Sequence, residues 1–167
     1  MIYRIYKSNL PIVLVGLPFI IFGLWAGQIF NPIGIEPLEH TGEVFGLLDN
    51  LVSLLWIKQL VACILIIISA IVLNSIINKE EFFQKQTYIP AYTYVLIMSI
   101  YPEYQVLHPI IIANFFVIVA IRRLFQIHRS DDSRRMMFDA GLLIGISAVF
   151  YQYYLGFYLL AWITLGV

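Results

Sequence analysis

Charge is scarce in this chain: Asp, Glu, Lys and Arg make up 12% of its 167 residues, about half the share of an ordinary soluble domain. The charge that exists is balanced, ten basic residues against ten acidic, so there is no basic footprint for nucleic acid. Cysteine is nearly absent. The single Cys63 excludes a disulfide framework and a cysteine-built zinc site. Also missing are a glycine-rich phosphate loop, an HExxH or other paired-histidine motif, and a serine-centred nucleophile motif. What is present is apolar: 61% of residues are hydrophobic and the mean hydropathy is +0.87. That composition belongs to a helical membrane protein.

A crossing helix needs roughly 20 apolar residues to traverse about 30 Å of hydrocarbon at 1.5 Å per residue. Leu10 to Phe30 and Gln59 to Ile77 are such runs, the first polar only at Gln28. Pro11 suits the first turn of the opening run, and Gly16 and Pro18 are expected to bend it. The run is longer than a signal-peptide core and no clean cleavage site follows, so it is read as retained. Two shorter runs, Pro90 to Tyr101 and Pro109 to Ile121, are expected to form a stunted pair, even with Phe82, Phe83, Tyr88 and Ile89 extending the first and Leu124 and Phe125 the second. Their connecting turn, Pro102 to His108, would lie at or below the outer headgroup level. A last run from Met136 to Val167 reads as a fifth crossing, with Ser130-Asp131-Asp132 as its cap and tyrosine and phenylalanine crowding Phe150 to Trp162. Its apolar end predicts that the chain is the N-terminal part of a longer protein.

Between the first two runs, Val44, Leu47, Leu48, Leu51, Val52 and Leu55 recur at helical spacing opposite Glu39, Glu43, Gly46, Asn50 and Ser53. This segment is expected to lie along the outer membrane surface, with Trp56 marking re-entry. The expected fold is therefore all-α: one transmembrane domain over residues 1–167, a polytopic helical bundle of about five transmembrane helices plus an outer amphipathic helix. Arg4, Lys7, Lys79, Lys85, Arg122, Arg123, Arg129, Arg134 and Arg135 fall on one side of this arrangement, and only Lys58 tends to the other. By the positive-inside rule the N-terminus is cytoplasmic.

Three groups of polar residues are candidates for function. The outer acids Glu36, Glu39 and Glu43, with His40, face Glu103 and His108 of the second outer loop, and carboxylates from two loops can hold a divalent metal or act as base and acid. Glu39, Glu43 and Glu103 are the catalytic candidates, and the short hairpin would put Glu103 near membrane depth. Their structural alternative is a set of solvated loop charges. A second group is cytoplasmic: Arg122, Arg123, Arg134 and Arg135, with Asp139 expected to pair with Arg135 or, across helices, with Arg122 or Arg123. It reads as a salt-bridged topology anchor or as a contact for lipid phosphates or an acidic partner segment. The third group lies inside the bundle: Tyr92, Thr93, Tyr94, Cys63, Asn74, and above all Asn114, expected to hydrogen-bond a neighbouring helix. No acid or base occupies mid-depth, which argues against a proton relay or voltage sensor.

Tyr101-Pro102-Glu103, Ala113-Asn114-Phe115-Phe116, Arg122-Arg123 and Phe138-Asp139-Ala140 resemble an uncharacterised family of bacterial multi-pass inner-membrane proteins. The resemblance covers roughly residues 88–150; it implies the bacterial inner membrane and a longer parent chain, and brings no activity. The layout also resembles that of GT-C type glycosyltransferases that use polyprenyl-phosphate-linked sugars, where acids in the first and second outer loops hold a metal or activate the acceptor. On that likeness Glu36, Glu39 or Glu43 would work with Glu103, although neither loop has an Asp-Asp, Asp-Glu or Asp-x-Asp pair. Two readings follow. The first is a structural or accessory subunit with no cofactor, held among membrane lipids and other membrane protein subunits. The second is a GT-C-like module acting at the outer face.

Overall fold

The computed structural model describes residues 12–30, 44–46, 54–127 and 132–166, and these are helical almost throughout. The helices are α1 (Ile12–Phe30), α2 (Leu55–Lys79), α3 (Ile89–Ile100), α4 (Pro109–Gln126), α5 (Ser133–Phe150) and α6 (Tyr158–Gly166). Short 310 segments follow α3 at Pro102–Gln105 and α5 at Gln152–Phe157. Of the expected outer amphipathic segment, residues 44–46 and 54–55 are described: the first three are helical, and Leu55 already opens α2. Glu36, Glu39, His40 and Glu43 lie outside the described residues, as do Ser130 and Asp131 of the expected cap. Among the described residues, two helices, α2 and α4, are long and apolar enough to cross a membrane; Gly16–Phe30 of α1 and the whole of α3 are shorter apolar stretches.

The chain divides into two compact units. In the first, α1 and α3 run parallel and α2 runs against both. Gln59 at the start of α2 donates through Nε2 to the Gln28 carbonyl at the end of α1, at 3.3 Å. Trp25 of α1 donates through Nε1 to Ser99 Oγ near the end of α3, at 3.1 Å. The core is Leu17, Ile21, Trp25, Ala62, Ile66, Ala70, Ala91 and Val95. Small residues on α2 and α3 let the backbones approach, as membrane helix packing requires. At the other end Asn78 and Thr87 clasp the connection: Asn78 Nδ2 donates to the Thr87 carbonyl (2.9 Å) and the Thr87 N–H to Asn78 Oδ1 (3.0 Å).

In the second unit α4 and α5 are antiparallel. Phe116 stacks on Phe150 at one end (ring centroids 6.1 Å apart, planes at 10°), and Arg123 meets Asp139 toward the other. Here two expectations are corrected. The run from Pro109, extended through Leu124 and Phe125, was still expected to fall short of a full crossing, yet α4, which ends at Gln126, reaches spanning length. Arg122 and Arg123 do not stop it, because cations near a helix C-terminus offset the carbonyl end of its dipole. Of the expected pair, α3, with 12 residues, is the short member. The last run is likewise not one continuous helix. It breaks at Tyr151, whose backbone is extended, passes through the 310 segment and returns as α6 along α5. Ala161 of α6 joins Ala120 and Leu124 of α4 and Ala140 and Ile144 of α5 in one buried cluster.

Candidate functional site

The first unit holds a half-open cavity of about 550 Å³ between α1 and α2, lined by Pro18, Phe19, Ile21, Phe22, Trp25, Ile29, Trp56, Gln59, Leu60 and Cys63. Its size falls within the range of small-ligand sites, but its lining is almost wholly apolar. Its polar neighbours are committed to the fold. Trp25 is spent on Ser99 and Gln59 on the α1 terminus. Outside the cavity lining, Gln105 donates through Nε2 to the Ser99 carbonyl at 3.0 Å. That last bond satisfies one of the carbonyls a helix end leaves unpaired, and so finishes α3 inside the unit. Deeper along α2, the buried Ser69 Oγ and Asn74 Oδ1 have no partner among the described residues.

Glu103 lies in the 310 segment after α3 with its side chain exposed. Its expected partners Glu39 and Glu43 fall outside the described residues, so no distance between the two outer loops is defined. Among the described residues, no group of three or more His, Cys, Asp and Glu gathers as metal ligands would. His108 is buried and caps α4, its Nδ1 accepting the Ile110 N–H at 3.3 Å. This gives it a structural task at the start of the helix.

The arginine group lies in the second unit. Arg123 is half-exposed and approaches Asp139 at 3.9 Å, a loose pair in a wet setting; of the partners expected for Asp139, Arg123 is the one it takes. The same guanidinium donates through Nη1 to Gln126 Oε1 (3.4 Å) and to the Met136 sulfur (3.9 Å), so it lies across the first turns of α5. Arg122, Arg134 and Arg135 are exposed. Asn114 sits half-buried on the second turn of α4.

Some organising residues escaped the sequence reading. Tyr158 of α6 donates its hydroxyl to the Gly141 carbonyl at 2.9 Å, and a Cβ at Gly145 would lie 3.1 Å from that hydroxyl. Gly141-x-x-x-Gly145 is the small-x-x-x-small pattern of close membrane helix packing and was available as a signal. Ser99 and Gln105 carried no comparable pattern, since each is polar only by type. Neither a family model, a curated protein nor a solved structure matches this chain.

Proposed function

We propose that this protein is an integral membrane protein of the bacterial inner membrane that serves as a structural or accessory subunit of a larger membrane assembly. Its N-terminus is cytoplasmic, and α1 to α5 make five crossings. The observation that carries the reading is the short α3. Its 12 residues rise about 18 Å, well below the roughly 30 Å of hydrocarbon. The following turn therefore lies below the outer surface, with Tyr101, Pro102 and Glu103 exposed. Irregular backbone at that depth is tolerated only where protein covers it or where it lines a water-filled cavity. The apolar lining of the neighbouring cavity, and the commitment of Trp25, Gln59 and Gln105 to internal hydrogen bonds, favour cover by protein over water. The exposed α3 face of Leu96, Ile97, Ile100 and Tyr101 is where that cover would rest.

The test is a photo-crosslinking residue at Ile100, with one at the exposed Ile71 of α2, outside the cavity lining, as the lipid-facing comparison. Irradiation of native membranes should give one discrete larger protein product from position 100 and none from position 71. Lipid adducts alone from position 100 would refute the subunit reading. Glu103→Gln should leave the product unchanged.

A further inference from the structure

We propose that the arginine end of the second unit binds the phosphate headgroup of an anionic membrane phospholipid. The site is built by two helices. Arg122 and Arg123 end α4, Arg134 and Arg135 open α5, and the Arg123 guanidinium lies against Met136 and Asp139 to draw the two ends together. Among the described residues, Arg122, Arg134 and Arg135 form no ion pair or side-chain hydrogen bond, and the acids on α5 and its cap are Asp132 and Asp139. The first turn of α5 contains no acid, so Arg134 and Arg135 face the positive end of their own helix dipole. An anion there would relieve both repulsions. Guanidinium is the side chain best matched to phosphate, through paired N–H donors.

The choice of a lipid rests on what lies beside the charge. Arg134, Phe138 and Leu142 follow one another at helical i, i+4, i+8 spacing, so they share a face of α5. Phe138 is 70% exposed and Leu142 49%. A guanidinium followed along the helix by two exposed apolar side chains complements a phosphate followed by an acyl chain. A soluble anion or an acidic peptide would leave the apolar half uncovered. The inference shares the membrane reading above, in which α4 ends at the cytoplasmic headgroup level where anionic lipid concentrates. It does not require the partner subunit.

The experiment is thermal unfolding of the purified protein in a nonionic detergent, titrated with phosphatidylglycerol or with phosphatidylcholine of the same acyl chains. Phosphatidylglycerol should raise Tm saturably and phosphatidylcholine should not. In R122Q/R134Q/R135Q the apparent affinity for phosphatidylglycerol should fall at least about tenfold, the loss of roughly one charge-assisted hydrogen bond. Phe138→Ala, which keeps every charge, should also weaken it. Equal shifts from both lipids, an undiminished shift in the triple variant, or the whole shift reproduced by inorganic phosphate would each overturn the lipid site. Should the triple variant fail to fold, the single Arg134→Gln variant reads the same titration. Failure of the crosslink at Ile100 would leave this titration untouched, so the two ideas fall separately.

Discussion

Individual polar side chains in this protein are placed for helix contacts. Gly16 and Tyr92 form the tightest of these: a Cβ added at Gly16 would sit 2.7 Å from the Tyr92 hydroxyl, and the Tyr92 ring is buried with little room to retreat. Gly16→Ala should therefore destabilise the first unit by about 1–3 kcal/mol, the usual cost of overpacking. The same substitution made in a Tyr92→Phe background should cost much less, because the clashing oxygen is gone. Chemical unfolding in mixed micelles measures both, and an equal cost in the two backgrounds would show that the hydroxyl is not what Gly16 accommodates. The sequence already marked both residues, Gly16 as a bend and Tyr92 as a polar group inside the bundle. It could not join them, because the 75 intervening positions carry no information about which helices meet. Trp25 and Ser99 were illegible as a pair for the same reason.

At the scale of elements, length and composition were readable where apolar runs are bounded by proline or charge. Pro102 and Pro109 bound the α3–α4 connection as expected, since proline suits a first helical turn and little else in a helix. The return of α6 was not readable. Tyr151, Tyr153, Tyr154 and Phe157 were read as the interfacial end of one span, yet they pack on one another across its break, with Tyr154 stacked on Phe157 at 5.5 Å. Aromatic crowding by itself does not distinguish an aromatic turn from the interfacial end of a helix. The hairpin instead depends on the groove over Gly141 and Gly145. Gly145→Leu would fill it at the point where Tyr158 rests and should displace α6. Hydrogen exchange in lipid nanodiscs should then show lost protection across residues 158–166 with α4 unaffected. Unchanged protection would mean that α6 is held by something other than this groove.

The proposed arrangement of the chain in a bilayer rests on the sorting of charge along it, which is read directly from the sequence. Lys79 and Lys85 flank the connection from α2 to α3, and Glu103 occupies the turn after α3. Since α3 lies between these two connections, a single crossing separates them, and opposite exposure of positions 85 and 103 is the most direct consequence of the proposed topology. In a Cys63→Ala background, Lys85→Cys and Glu103→Cys each supply one thiol at an exposed position. In spheroplasts that produce this chain in excess over its partner, a membrane-impermeant maleimide should label position 103 and spare position 85 until the membrane is broken. In the proposed topology, removing Lys85 still leaves Lys79, Arg122, Arg123, Arg134 and Arg135 to hold the cytoplasmic side, so the substitution itself should not invert the protein. The reverse labelling would put the arginine end at the outer face, and the lipid site would lose its cytoplasmic setting. Equal labelling of both positions in intact cells would mean that α3 does not separate two compartments, and the argument from its short length would fail with it.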